Sequence, residues 1–103
     1  MKPIEPPQPS LVRAQVARLL DSRGFSRSER LSRFLAYIVE ETLAGRKSGL
    51  KEYTIATRVY ERSETFDPAA DTIVRVEARR LRTVLEAYYE HEGAADAVRI
   101  DVP

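Results

Sequence analysis

The sequence predicts a mainly α domain of about four helices that closes on a short C-terminal β element. Three observations carry that expectation. Apolar residues recur at helical spacing in four separate stretches, Gly or Pro punctuates the gaps between them, and the last stretch, "AVRIDV", alternates apolar and polar residues as a strand does. A chain of 103 residues, 43% hydrophobic and 32% charged, fits one compact domain with a single core.

The elements follow in order. Residues 1–9 hold Pro3, Pro6, Pro7 and Pro9, which fix φ and remove amide donors, so a disordered, Pro-rich lead-in is expected ahead of a domain over 10–103. Ser10 is a candidate N-cap for the first helix, in which Val12, Val16, Leu19 and Leu20 share a face until Gly24 offers a left-handed stop. The second helix opens on Ser26 with Glu29 three residues on, a capping-box spacing, and carries a stripe of Leu31, Phe34, Leu35, Ile38, Val39 and Thr42 that ends near Gly45. A third helix is expected in "GLKEYTIATRVYER", although Thr54, Ile55 and Val59 also suit a strand. Asp67-Pro68 breaks it, and Asp71 is placed to cap the fourth helix over residues 72–89.

Composition excludes several classes of function. No run of about 18 apolar residues is present, so no membrane span is expected, and the N-terminus lacks the basic-then-apolar layout of a secretory signal. A cytoplasmic location follows as the default expectation. Without cysteine there are no disulfides or thiolate ligands, and His91 is the single histidine, so neither a metal nor any other cofactor is expected. The glycines at 24, 45, 49 and 93 are scattered and form no phosphate loop. Glu40 and Glu41 are adjacent and diverge on a helix, so paired-carboxylate catalysis is not expected, nor is a small-molecule substrate. The chain reads as a non-enzyme.

Charge is segregated. Residues 1–50 carry nine Lys/Arg against five Asp/Glu, whereas residues 51–103 carry eight against eleven, within a net charge of only +1. Local patches therefore matter more than the total. The densest patch lies in "DTIVRVEARRLRTVLEAYYE". At about 100° per residue, Val74, Ala78, Leu81, Leu85 and Tyr88 fall within about 80° of arc, while Arg75, Arg79 and Arg82 cluster roughly 110° from that stripe's centre. One face is built for the core and another for a partner. Val76 and Thr83 continue the outer side, where a valine can meet a thymine methyl while guanidiniums take phosphates or a guanine edge. A solvated, salt-bridged surface is the competing reading, since Glu77 can pair with Arg80 and Glu86 lies one turn from Arg82.

A helix, a loop, a second helix and then an alternating strand match the order of a winged helix-turn-helix. "TIVRVEARRLRTVLEAYY" resembles the recognition helix of OmpR/PhoB-type winged-helix DNA-binding domains. More closely, "RFLAYIVEETLAGR", "LKEYTIATRVYER", "FDPAADTIVRVEARRLR", "YYEHEG" and "VRIDVP" are similar to the N-terminal winged-helix module of bacterial signalling and regulatory proteins. That resemblance implies sequence-specific binding of double-stranded DNA by a transcriptional regulator, with residues 72–89 in the major groove and "VRIDV" as the first wing strand. Carried over residue by residue, it implies DNA contacts from Arg75, Arg79, Arg80 and Arg82; the outer-face residues Val76 and Thr83, with Thr72 and Lys51 nearby, complete the expected contact set, and because one short helix reads only a few base pairs a homodimer on paired half-sites is expected.

The sequence departs from the pattern in three ways. Two helices stand where response-regulator effector domains begin with a sheet. The family continues into a Gly-rich turn and second wing strand, whereas this sequence ends at Pro103, so the wing is expected to be incomplete within it. Glu61, Glu64, Asp67, Asp71 and Glu77 lie in or just before the DNA-facing helix. A second basic group, Arg18, Arg23, Arg27, Arg30 and Arg33, fits either a grip on flanking phosphates or a solvated helix surface. The alternative function is a winged-helix-shaped interaction or dimerisation module that binds no nucleic acid, with Tyr37, Tyr60, Tyr89 and Val76 supplying contact area.

Overall fold

The computed structural model describes residues 8–102 and is mainly helical: α1 Pro9–Asp21, α2 Arg23–Ser26, α3 Glu29–Leu43, α4 Glu52–Arg58 and α5 Ile73–Glu90, with a 3-10 turn at Lys47–Leu50. Most of the expected lead-in, and Pro103, lie outside the described residues. The remainder of that lead-in corrects the expectation. Pro9, not Ser10, opens α1, where its fixed φ suits the first helical position and its missing N–H costs nothing.

The stretch read as one helix up to Gly24 is two. Asp21 ends α1 because Ser22 turns extended (φ −75°, ψ 164°), and its hydroxyl donates to the Leu19 carbonyl at 2.5 Å. Gly24 therefore makes no left-handed stop; it sits inside α2, where its role is space. A Cβ there would lie 2.5 Å from Cγ1 of Val84, a stiff side chain on α5. The capping residue of α3 is likewise corrected. Ser28, extended at φ −138°, accepts from the Leu31 amide at 3.2 Å, whereas Ser26 closes α2.

The far end of α3 follows the sequence. Gly45 takes φ +73°, the Gly45 amide bonds to Thr42 O at 3.1 Å and the Arg46 amide to Glu41 O at 3.0 Å, which is the Schellman arrangement that satisfies the last carbonyls. The Arg46 guanidinium then pairs with the Glu41 carboxylate at 2.9 Å across the same turn. The third expected helix shortens to the seven residues of α4. Beyond it Glu61 adopts φ 54°, and the Arg62 amide reaches back to Ala56 O at 3.0 Å.

Asp71 caps α5 as expected. Its Oδ1 accepts from the Ile73 amide at 3.0 Å, while Oδ2 accepts from Arg62 Nε at 2.8 Å. The Arg62 hydrogen bond, with the Ile73 amide behind it, holds the Asp71 carboxyl below its ordinary range.

Leu19, Phe25, Leu31, Leu35 and Leu81 form the fully buried centre, joined by Phe34, Ile55, Val74, Leu85, Tyr88 and Tyr89. Each such side chain contributes roughly 1.5–3 kcal/mol by leaving water. The α5 stripe predicted from spacing is the stripe that meets this core, with Ala78 half-buried at its edge.

The expected wing is corrected. Among the described residues there is no strand, and residues 98–102 carry no regular secondary structure. Their alternation is nevertheless used, since Val98, Ile100 and Val102 are half-buried, the last two against the core, while Arg99 and Asp101 are exposed. A side chain replaces the missing partner strand. The Tyr89 hydroxyl donates to Val98 O at 3.2 Å and accepts from the Ile100 amide at 2.9 Å and from Gln15 Nε2 at 3.2 Å. Gln15 also donates to Asp96 Oδ2 at 2.9 Å, so α1, α5 and the C-terminal segment are tied at one buried point. Among the described residues no helix is long and apolar enough to cross a membrane.

Candidate nucleic-acid interface

The solvent side of α5 follows from its buried side. With Val74, Glu77, Leu81, Leu85, Tyr88 and Tyr89 turned inward, the outward residues are Arg75, Val76, Arg79, Arg80, Thr83, Glu86, Ala87 and Glu90. Every exposed charge from Ile73 to Thr83 is an arginine; Glu86 and Glu90 follow only beyond it. Val76 lies among those arginines with 53% of its surface open.

The eight expected DNA contacts divide into three groups. Arg79, Val76, Thr83 and Thr72 are exposed, and among the described residues the Arg79 guanidinium makes no ion pair or hydrogen bond. Thr83 spends its hydroxyl on the Arg79 carbonyl at 3.1 Å, which presents its methyl group outward. Thr72 is the N-cap residue of α5 but makes no side-chain cap bond, the capping being done by Asp71.

Arg75 and Arg80 are exposed but engaged. Arg75 Nε is 3.3 Å from Glu52 Oε1, and its Nη2 donates to the Pro68 carbonyl, so the start of α4 and the loop before α5 both hold it. Arg80 lies 3.7 Å from Glu77. Both arginine side chains keep more than half their surface in water, at 58% and 54%, but their partners differ: Glu52 is partly open, whereas Glu77 is a buried carboxylate that Arg30 also faces.

Arg82 and Lys51 differ from the rest. Arg82 is half-buried and engaged within the domain, which leaves it less free to meet a partner than its place among the arginines implied. Lys51 is exposed at the N-cap of α4, next to the Glu52 that holds Arg75, and so belongs to the same end of the surface.

Glu77 was read from sequence as a surface partner of Arg80. It is buried, with only 5% of its surface open, and lies 3.7 Å from Arg30 of α3 as well as from Arg80. Helical geometry contained the signal. At about 100° per residue, Glu77 falls about 20° beyond Tyr88 and hence at the edge of the core-facing arc. Arg30 in turn stacks over the Tyr60 ring at 5.6 Å, and burial, reinforced by the Glu77 charge, pushes the Tyr60 hydroxyl well above its ordinary pKa.

The contact area expected for a pure interaction module is mostly inside. Tyr60 and Tyr89 are buried, and Tyr37 is half-buried with its hydroxyl donating to Gly49 O at 2.8 Å. Val76 alone of those four is open; Leu11, Leu50 and Tyr53 are the other exposed large apolar side chains among the described residues. No family model, curated protein or solved structure matches this chain.

Proposed function

We propose that the chain is a sequence-specific double-stranded DNA-binding domain of a transcriptional regulator, with the N-terminal two-thirds of α5 in the major groove. One observation carries the reading: outward charge on α5 is purely cationic up to Thr83, with an uncharged Val76 among the arginines. Helices that read DNA place their N-terminal residues at the base edges, which is the end of α5 that is free of exposed acid. Arg79 supplies an unspent guanidinium to a phosphate or a guanine edge, Val76 and the Thr83 methyl supply apolar contact to a thymine methyl, and Arg75, Arg80, Thr72 and Lys51 flank them. The engagement of Arg82 makes it a supporting residue in this proposal.

One helix of this kind reads only a few base pairs, so specific binding calls for two copies on paired half-sites, and the reading includes a homodimer on DNA. The test is fluorescence anisotropy of a labelled mixed-sequence duplex at low salt. Binding is expected, it should weaken steeply as salt rises, and Arg79→Ala should cost about 1–3 kcal/mol. No binding at low salt, or an Arg79→Ala protein that binds as the parent does, would move the assignment to a protein-interaction module.

A further inference from the structure

A second row of arginines lies along the other flank of α5, contributed largely by different helices. Around α5, Arg80 stands roughly 100–140° from Arg79 and Arg75, and the ridge between them holds Val76, Thr83 and Ala87, all exposed and uncharged. On the Arg80 side α2 and the start of α3 abut α5. Gly24 meets Val84, Arg23 shares a cavity wall with Val84 and Ala87, and Arg30 reaches the same Glu77 carboxylate as Arg80, each at 3.7 Å. Arg23, Arg30 and Arg80 thus follow the seam between α5 and the α2–α3 corner, and Arg27, the C-cap residue of α2, stands between Arg23 and Arg30 in the chain.

Their donors are unspent. Among the described residues the side chains of Arg23 and Arg27 make no ion pair or hydrogen bond, and those of Arg30 and Arg80 make no hydrogen bond, because 3.7 Å from Glu77 is a charge contact only. Glu77 is buried beneath them and orients both guanidiniums without covering them. Acidic residues bound the strip. Glu92 stands at its Arg23 end, and Glu29 and Glu61 line the cavity beside Arg30.

We infer that Arg23, Arg27, Arg30 and Arg80 bind backbone phosphates of one DNA strand while Arg75 and Arg79 bind those of the other, so that α5 straddles the major groove with the Val76–Thr83–Ala87 ridge facing the bases. The inference rests on the DNA-binding reading above and adds the occupant of the second flank. Dimensions agree, since a helix with its side chains is about 10–12 Å across and the groove about 12 Å wide, which brings long side chains on both flanks to the two phosphate rows.

The experiment is a salt titration of duplex affinity for the parent, an Arg23→Ala/Arg27→Ala double variant, Arg80→Ala and Arg79→Ala, with circular dichroism as a check on the fold. Arg23 and Arg27 hold no intramolecular partner among the described residues, so their removal should leave the fold intact. The slope of log K against log salt should fall in magnitude by about 2 for the double variant and by about 1 for Arg80→Ala, with the loss equal on duplexes of different sequence. A double variant and an Arg80→Ala protein with the parent's slope, while Arg79→Ala lowers it, would overturn the straddling geometry and leave DNA binding by α5 in place. A parent protein that binds no duplex would overturn both.

Discussion

Arg75 and Glu52 face each other at 3.3 Å across the start of α4 and the start of α5, and the Pro68 carbonyl holds the same guanidinium from the loop between them. In the proposed DNA complex the carboxylate would compete with phosphate for Arg75 and repel phosphate at the adjacent Lys51. Glu52→Gln is therefore expected to raise duplex affinity about 2–5-fold, the scale of a rim charge, with little change in stability. Anisotropy at fixed salt measures it. A weaker-binding variant would mean instead that Glu52 aims Arg75 at DNA.

Gly45 is the one glycine with positive φ, at +73°, and it stands where two carbonyls of α3 are satisfied by the amides of residues 45 and 46. A Cβ there meets no neighbour, so strain of the backbone alone sets the cost. Gly45→Ala should lower stability by about 1 kcal/mol, read as a lower urea midpoint at unchanged slope.

Sequence spacing captured what depends on one helix alone. The Val74/Leu81/Leu85/Tyr88 stripe, the Gly45 stop and the Asp71 cap follow from 3.6-residue periodicity and local hydrogen bonding, and the structure retains them. Features that depend on a second element were less legible. The sequence pointed to Ser26 as the cap, but Ser28 caps α3 and Ser26 is the last residue of α2, the short helix that packs its Gly24 on Val84. Glu77 became a buried residue because Arg30 arrives from α3. The alternation in 98–102 pointed to a strand, which the structure does not show, since a ladder needs a partner strand and the Tyr89 hydroxyl takes Val98 O and the Ile100 amide instead.

Tyr89 is consequently a fastening point that a helix stripe would not reveal. Its hydroxyl joins Val98 O, the Ile100 amide and Gln15 Nε2, all shielded from bulk water to some degree. Tyr89→Phe keeps the ring and removes all three bonds, so a loss of about 1–3 kcal/mol is expected. Amide exchange at Ile100 should accelerate more than exchange in the centre of α5. Uniform acceleration across the domain would show that the hydroxyl holds the whole fold rather than this segment.

Asp96 gives the domain an acid limit. Tyr88 Oη donates to Asp96 Oδ2 at 2.5 Å, Gln15 donates to the same oxygen, and Arg18 lies 3.2 Å from Oδ1. Those hydrogen bonds, Tyr88 first and then Gln15, with the Arg18 charge adding, hold the Asp96 carboxyl below its ordinary range. Burial, together with the Asp96 contact, pushes the Tyr88 hydroxyl up to about 12. A carboxyl with a lowered folded-state pKa contributes stability that is present above its unfolded value, near 4, and is lost as pH falls through the lower folded value. Asp71, lowered by Arg62 and the Ile73 amide, acts in the same direction. Urea midpoints measured from pH 7 downward should thus hold steady to about pH 5 and then fall. Asp96→Asn should be less stable than the parent at pH 7 and converge on it in acid, as the parent's own carboxyl becomes neutral. A constant gap between the two curves down to pH 2 would mean that the Asp96 charge contributes nothing and that shape alone explains the loss.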